Sequence, residues 1–131
     1  SVWEQTFPYV RPQETGNKTD VRWMALDNGT IGLLAIGQPV FDGSVHQYPY
    51  EDLENVPGDK RHGKLDIKPK DQIDWLIDYR QTGVGGDNSW GARTHQKYTL
   101  DGKSANYKYH FYLIPFTKGV DIMALSKINM N

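Results

Sequence analysis

The stretch GVGGDNSWG, Gly83–Gly91, gathers residues whose types could do chemistry together. Its largest side chain, Trp90, stands near the end of a segment whose other residues are four glycines, one valine and three small polar residues. An indole is a flat apolar plate with one N–H donor. Such a plate suits stacking against the C–H-rich face of a pyranose, above all that of galactose, but it serves equally well as a plug in a core or an interface. The residues alone leave both roles of Trp90 open.

The residues before Trp90 are typical of a turn that holds its own shape. Glycines at positions 83, 85 and 86 predict backbone conformations that other residues rarely adopt. The polar residues that follow predict side-chain to backbone hydrogen bonds that lock the turn. Ser89 is predicted to be a turn serine rather than a nucleophile, because DNSWG lacks the G-x-S-x-G pattern. We assign loop support to Gly85, Gly86, Asp87, Asn88 and Ser89.

No other group of residues predicts a catalytic or metal site in this chain. The stretch GVGG lacks the Lys-Ser/Thr ending of a phosphate-binding loop. Asp74 and Asp78 share a predicted strand face, but roughly 13 Å of strand separates them, against about 5–5.5 Å for the carboxyl pair of a retaining glycosidase. The histidines show no metal-ligand spacing, and we predict that they are ordinary surface or hydrogen-bonded residues: His46, His62, His95 and His110.

Two segments alternate in the manner of half-buried antiparallel strands that would flank the Trp90 stretch. The first is DQIDWLIDYR, residues 71–80. The second is YKYHFYLIPF, residues 107–116, where Pro115 is expected to end regular pairing. The aromatic and aliphatic residues that share a face are, in the first segment, Ile73, Trp75, Ile77 and Tyr79, and in the second, Tyr107, Tyr109, Phe111 and Leu113.

The N-terminal half of the chain predicts a hairpin and one short helix. DVRWMAL, residues 20–26, and IGLLAIG, residues 31–37, are joined by DNGT, in which Asn28 and Gly29 tolerate positive φ. The second run is apolar on both faces, so we expect it to be covered from both sides. YPYEDLENVPG, residues 48–58, predicts the single helical turn, and GDKRHGKLDIKPKD, residues 58–71, a solvated connector.

The amino-acid composition limits which fold classes and which binding partners are plausible. The 131 residues fit one domain or a piece of a larger one, and four Trp, eight Tyr, 13 Gly and seven Pro favour an all-β, antiparallel sandwich. About five strands are few for a complete sandwich, so the chain is expected to be part of a larger sheet structure. A net charge of -1 argues against a nucleic-acid groove or a polybasic membrane anchor. The absence of cysteine excludes thiol chemistry and leaves the compartment open.

Four segments together resemble the C-terminal region of glycoside hydrolase family 2 β-galactosidases. DYRQTGVGGDNSWG, residues 78–91, is similar to the family's M-G-[IV]-G-G-D-[DN]-S-W pattern. PYVRPQETGNKTDVRWMAL, residues 8–26, resembles its P-x-E-x-G segment and the strand that follows. YPYEDLE, residues 48–54, resembles the family's short Y-x-x-E-D-L helix, and YKYHFYLIPF, residues 107–116, resembles its closing strand. The matches come in the family's order, with departures at Thr82, where methionine is usual, and at Asn88, where aspartate is common.

The resemblance implies a non-catalytic domain of a larger enzyme. Family members carry their catalytic glutamates, and often magnesium and sodium ions, in other domains, so no catalytic residue, metal ligand or cofactor is expected in this chain. The resemblance implies that residues 1–131 form a single domain, the latter half of a supersandwich of the galactose-mutarotase-like kind, with residues 117–131 as a tail that has no counterpart in the family pattern. Trp90 inherits the role of the tryptophan that lies under the sugar. The implied partners are the remaining domains of the parent enzyme and a galactoside, with neither nucleic acid nor membrane.

Two rivals and one further expectation accompany this interpretation. The chain could be a stand-alone module that binds galactose-type sugars, or a scaffold domain in which Trp90 is buried against a neighbour. Half of a supersandwich should leave an apolar sheet face uncovered. We therefore expect that the isolated chain either self-associates or packs its own tail over the sheet, through the residues Val120, Ile122, Met123 and Leu125.

Overall fold

The structure is a computed structural model that describes residues 1–6, 15–54, 67–88, 90–103 and 106–128. These residues form one four-stranded antiparallel sheet with little helix. The strands are β1 (Lys18–Asp27), β2 (Ile31–His46), β3 (Asp74–Asp78) and β4 (His110–Thr117). Two short helices, α1 (Glu51–Glu54) and α2 (Ile122–Leu125), accompany 3-10 turns at Trp3–Gln5 and Gln96–Tyr98. The all-β, antiparallel prediction is confirmed. The helix predicted within residues 48–58 is present as α1, but the expectation that it would be the one helical segment was wrong, because α2 is a second.

The β1–β2 hairpin forms where the sequence predicts it. Asp27 lies opposite Gly32, and the turn between them contains Gly29 at φ 84°. The carboxamide Oδ1 of Asn28 accepts hydrogen bonds from the backbone N–H groups of Thr30 and Ile31, each at 3.0 Å. Only glycine adopts positive φ within this turn, so Asn28 contributes its side chain rather than an unusual backbone conformation.

β2 is the central strand, and it is longer than predicted. It continues for 16 residues, past the expected end at Gly37, and β1 pairs along one of its edges. The other edge is shared: β4 pairs with residues 31–38 of β2, and β3 pairs with residues 42–46. Both strands run antiparallel to β2. β3 and β4 therefore lie end to end along this edge and run in the same direction. Asp78, at the end of β3, lies opposite Asp42, and His110, at the start of β4, lies opposite Gln38.

The core lies on one face of the sheet. Its centre consists of Leu34, Ile36 and Phe116, each at most 8% exposed. Five partly buried residues pack against this centre, and the last two of them belong to α2: Trp23, Ala25, Ile114, Ile122 and Leu125. The backbone N–H of Ala124 donates to the side chain of Asp121, which caps α2. The tail therefore packs on the sheet through two of its four expected residues, whereas Val120 and Met123 are exposed.

The opposite face of the sheet, called the open face below, is apolar and only partly covered. Ala35 is buried there, whereas Leu33, Phe111 and Leu113 are 43%, 36% and 51% exposed. The expectation that Ile31–Gly37 is covered on both sides is therefore confirmed only for residues 34–37, and it was wrong for Ile31 and Leu33. On β4 the alternation is correct, but the buried side is the one with Ile114 and Phe116, because the core cluster lies there.

Two further strand predictions differ from the structure at their ends. Pro115 does not end the pairing: it lies opposite Leu33, and β4 continues to Thr117. Within the described residues β4 has a neighbour on one side only, and such an edge strand tolerates a residue without an N–H. β3 is shorter than residues 71–80, and α1 occupies Glu51–Glu54 as predicted. The expected helix stop at Pro57 and Gly58, and most of the connector, lie outside the described residues.

Candidate functional site

The Trp90 loop, residues 79–109, leaves the sheet between β3 and β4. A buried carboxylate fixes its start: Asp42 of β2 is 4% exposed and accepts hydrogen bonds from the backbone N–H groups of Gln81, at 2.9 Å, and Asp20, at 3.2 Å. Asp20 adopts φ 53°, a conformation that Asp tolerates better than most residues. One side chain therefore ties the beginning of β1 and the beginning of the loop to the central strand.

Aromatic rings close the base of the Trp90 loop. The ring of Tyr79, which follows β3, lies 5.1 Å from that of Tyr107 and 6.0 Å from that of Tyr109, measured between centroids. The hydroxyl of Tyr109 donates to the backbone carbonyl of Ile77 at 3.0 Å. These contacts hold the outgoing and returning chain together before β4 begins.

Hydrogen bonds join the two arms of the loop above this base. The backbone N–H of Gly83 donates to the carbonyl of Tyr98 at 2.8 Å, and the hydroxyl of Thr94 donates to the carbonyl of Gly83 at 2.6 Å. The backbone N–H of Leu100 donates to the hydroxyl of Thr82 at 3.3 Å. Thr82 stands where methionine is usual in the family pattern, and a thioether would be a much weaker acceptor for this bond.

The glycines support the loop in a different way from the one predicted. None of Gly83, Gly85 and Gly86 adopts positive φ, and within the described part of the loop only Gly91 does, at φ 119°. Close packing explains Gly86, because a Cβ there would lie 2.4 Å from the carbonyl oxygen of Ala92. A Cβ on Gly85 would meet nothing within 4 Å. The arms approach so closely at Gly86 that only hydrogen fits between them.

The tip presents Trp90 to solvent. Oδ1 of Asn88 accepts from the backbone N–H of Trp90, at 2.9 Å, and from that of Ala92, at 3.3 Å. The Trp90 side chain is 92% exposed. Ser89, predicted to support the loop, lies outside the described residues. In this chain, the indole is displayed on a backbone that the asparagine holds, rather than packed into the core.

Asp87 and His95 form a contact across the loop that sequence reasoning missed. Oδ1 of Asp87 lies 2.7 Å from Nε2 of His95, and both side chains are largely exposed. An ionised carboxylate can only accept, so the imidazole nitrogen is the donor. No sequence pattern indicated this pair, because it depends on how the arms fold back on each other. The bond joins the residues on either side of the tip.

The remaining histidines do not join this site. His46 lies in β2, is 4% exposed and contacts the rings of Tyr48 and Tyr50. His110 lies at the exposed start of β4, and His62 lies outside the described residues. Among the described residues, no three His, Cys, Asp or Glu side chains are grouped in a way that could hold a metal ion. The site can therefore contribute an aromatic plate and hydrogen-bonding groups.

A second surface feature is a groove of about 910 Å³ that is lined by residues of the open face and also by Phe116 and Leu125 of the core side. Its lining includes Leu26, Ile31, Leu33, Ile73 and Trp75. The indole N–H of Trp75 lies 3.1 Å from the sulfur of Met24, so the polar atom of this tryptophan turns to the sheet. In the described part of the chain, no helix has the length and apolar character needed to cross a membrane.

The sequence is similar to known proteins over most of its length. The profile of the family described as "Beta galactosidase small chain" matches residues 1–113. A beta-galactosidase of Priestia megaterium is 43% identical over 101 residues, which are 76% of this chain and 9% of that protein. A beta-galactosidase of Lactobacillus delbrueckii subsp. bulgaricus is 31% identical over 105 residues, or 78% of this chain and 10% of that protein. One from Pseudoalteromonas haloplanktis is 30% identical over 107 residues, or 82% and 9%.

Proposed function

Because this chain belongs to the β-galactosidase small-chain family, we propose that it is the C-terminal, non-catalytic part of a glycoside hydrolase family 2 enzyme that hydrolyses terminal β-D-galactosides. The chain spans only 9–10% of the length of the relatives reported above. Their length supports a parent enzyme whose other domains carry the catalytic glutamates and any magnesium or sodium ions. The same comparison disfavours a stand-alone sugar-binding module.

The exposure of Trp90 is the observation that carries the proposed role of this chain. A tryptophan that is 92% exposed gains nothing from the core of its own domain. Its loop is nevertheless held by the buried Asp42, by the bond between Gly83 and Tyr98, and by Asn88. A held backbone that displays a solvated indole fits a residue that completes a binding site formed with another domain.

In the proposed reaction, Trp90 acts on binding and orientation. A glutamate of another domain attacks the anomeric carbon, the aglycone leaves, and water hydrolyses the resulting galactosyl-enzyme with retention. The indole lies under the apolar face of galactose, orients it for attack and excludes water from that side. By analogy with aromatic stacking on nucleic-acid bases, such a plate contributes about 1–3 kcal/mol.

The open face of the sheet supports a larger sandwich in the parent. The apolar groove and the exposed Leu33 and Leu113 form a surface that monomeric soluble domains rarely leave uncovered. About nine-tenths of each relative lies outside the matched region. We propose that a preceding segment of the parent covers this face as the other half of a supersandwich.

The test is steady-state kinetics of the full-length β-galactosidase with Trp90→Ala and a chromogenic β-galactoside. We expect kcat/KM to fall about tenfold or more, since tenfold corresponds to about 1.4 kcal/mol of lost transition-state stabilisation. Trp90→Phe keeps part of the plate and should lose less. Met123→Ala removes a half-exposed apolar side chain of α2 and should change nothing. Unchanged kinetics for Trp90→Ala would reassign the chain to a scaffold.

A further inference from the structure

We propose that His95 is a positioning residue for Trp90: its imidazole donates to Asp87 and fixes the two arms of the loop at the separation that places the indole against the sugar. This inference rests on the proposed function, because it names the group that holds the proposed substrate-contacting residue. It adds a role to a histidine that none of the sequence patterns singled out.

The position of the bond within the loop carries the argument. Asp87 precedes the tip and His95 follows it, and their side chains meet at 2.7 Å. Lower in the loop, the arms are joined through backbone carbonyls, by Gly83 with Tyr98 and by Thr94 with Gly83. Asp87 and His95, by contrast, join the arms through a hydrogen bond between two side chains. A conservative substitution can therefore remove this contact without altering the backbone.

The position of the Trp90 indole is set by its backbone, because the side chain makes few contacts within this chain. With 92% of the side chain exposed, packing within this chain does not define where the indole lies. Asn88 holds the N–H of Trp90, but Asn88 itself directly follows Asp87. A shift of Asp87 relative to the returning arm would therefore move the asparagine and the tryptophan together.

The exposure of the pair separates positioning from folding stability. The side chains of His95 and Asp87 are 52% and 79% exposed, and solvent-exposed pairs contribute little to folding stability. Misplacing a substrate-contacting group by a small distance, by contrast, lowers the rate of an enzyme strongly. If His95 positions Trp90, its removal should lower kcat/KM while leaving the thermal unfolding temperature almost unchanged.

The geometry also selects the variant that should rescue the bond. The bonded atom is Nε2 of the imidazole. The side-chain amide of glutamine can place its nitrogen near that position and donate to the carboxylate, whereas the shorter asparagine cannot reach it. His95→Gln should therefore keep the positioning contact, and His95→Asn should lose it although it is equally polar.

The experiment is a double-mutant cycle in the full-length β-galactosidase, measured with a chromogenic β-galactoside. We expect His95→Ala and His95→Asn to lower kcat/KM about tenfold and His95→Gln to stay within about threefold of the unmodified enzyme. In the Trp90→Ala background, His95→Ala should lower kcat/KM by less than about twofold, because a residue that acts through Trp90 has nothing left to position. Asp87→Ala should match His95→Ala, and the Asp87/His95 double variant should lose no more than either single variant.

Three outcomes would overturn the inference, and they are distinguishable. If Trp90→Ala lowers kcat/KM but His95→Ala alone leaves it unchanged, then His95 does not position Trp90, and the inference fails while the proposed function stands. If Trp90→Ala lowers kcat/KM but His95→Ala adds its full loss on top, then His95 acts independently of Trp90, and the inference fails while the proposed function stands. If Trp90→Ala leaves kcat/KM unchanged, the proposed function fails, and the inference fails with it. Should His95→Ala not fold, the Asp87→Ala variant and the comparison of glutamine with asparagine decide the same question.

Discussion

Gly86 is the residue at which the arms of the Trp90 loop come closest. A methyl group there would lie 2.4 Å from the carbonyl oxygen of Ala92, and that oxygen belongs to backbone, which cannot rotate away. Gly85, its direct neighbour, has open space where a Cβ would stand. The two glycines therefore form a matched pair for testing whether close approach or free backbone rotation is what the loop requires.

We predict that Gly86→Ala damages the Trp90 loop and that Gly85→Ala does not. Overpacking of this kind costs about 1–3 kcal/mol, enough to force the arms apart. In the full-length enzyme, kcat/KM should fall several-fold for Gly86→Ala and stay within about twofold for Gly85→Ala. Hydrogen exchange at the amide of Gly83, which donates to Tyr98, should be faster in Gly86→Ala only. Equal effects of the two changes would contradict this prediction.

At the residue scale, the sequence identifies Trp90 as the side chain to explain but leaves its role open. A tryptophan after glycines and turn-forming residues is compatible with a displayed indole and with a core or interface plug, and only the structure shows that Trp90 is 92% exposed. The contact between Asp87 and His95 is not local: eight positions separate the two residues, and the approach of the arms brings them together. The sequence likewise does not predict why residue 86 must be glycine, because the atom that leaves no room for a side chain belongs to Ala92 on the other arm.

Among the strands, β2 pairs with each of the other three and carries the side chain that anchors the Trp90 loop. The carboxylate of Asp42 is buried in β2 and accepts from the backbone of Gln81 and Asp20. Hydrogen bonds to charged groups are worth about 1.5–3 kcal/mol each, and an unpaired buried N–H costs about 1–3 kcal/mol. One buried side chain therefore contributes strongly to attaching the loop to the sheet.

We predict that Asp42→Ala lowers the free energy of unfolding of the 131-residue chain by about 2–4 kcal/mol. Asp42→Asn should lose less, because its one remaining oxygen can accept from one of the two N–H groups. The exposed Asp71→Ala serves as the control and should change little. The measurement is urea unfolding followed by tryptophan fluorescence. A midpoint for Asp42→Ala within error of the unmodified chain would show that the carboxylate does not hold the loop.

The elements themselves are predictable to different degrees. The β1–β2 hairpin follows from Asn28 and Gly29 between two apolar runs, since a tight turn is specified by adjacent residues. The length of β2 is less predictable, because its second half is stabilised by pairing with β3, some 30 residues later in the chain. For β4, alternation correctly groups the residues into faces. It does not tell which face is covered, and α2 covers the side of Ile114 and Phe116.

For the molecule as a whole, the uncovered sheet face is the dominant surface feature. Leu33 is 43% exposed and lines the apolar groove, together with Ile31 and Ile73. In the proposed parent this face is covered by another segment. In the isolated chain it faces water, so a second copy of the chain is the available partner.

We predict that the isolated chain associates with itself through this face and that Leu33→Glu suppresses the association. The glutamate would stand at the groove, where its charge opposes burial but remains solvated in the monomer. Val84→Glu, which alters an exposed residue of the loop outside the groove, is the control and should associate like the unmodified chain. Sedimentation velocity over a range of concentrations measures both. A compact monomer of the unmodified chain at every concentration would contradict the prediction.

The whole-molecule prediction from sequence was correct in class and incomplete in detail. Composition and alternation are sufficient for an all-β antiparallel assignment, because they report on local backbone preference. Which face is covered, and by what, depends on segments distant in the chain or outside it. The apolar sequence IGLLAIG does not tell whether its second face contacts α2, another domain or solvent. Of its residues, 34–37 are buried within this chain.

The collinear arrangement of β3 and β4 has a consequence for redesign. Both strands lie along one edge of β2, and the chain departs opposite Asp42 and returns opposite Gln38. The register between β1 and β2 shifts over this interval, from Val21 opposite Phe41 to Trp23 opposite Ile36, so β2 is not a regular strand there. The whole Trp90 loop therefore begins and ends at one short, irregular interruption of this edge. Two contacts with the sheet must be kept when the loop is replaced: the backbone N–H of Gln81 donates to Asp42, and the hydroxyl of Tyr109 donates to the carbonyl of Ile77. With these ends retained, loops of other lengths and other displayed side chains can be grafted at this position while the rest of the scaffold sequence stays constant.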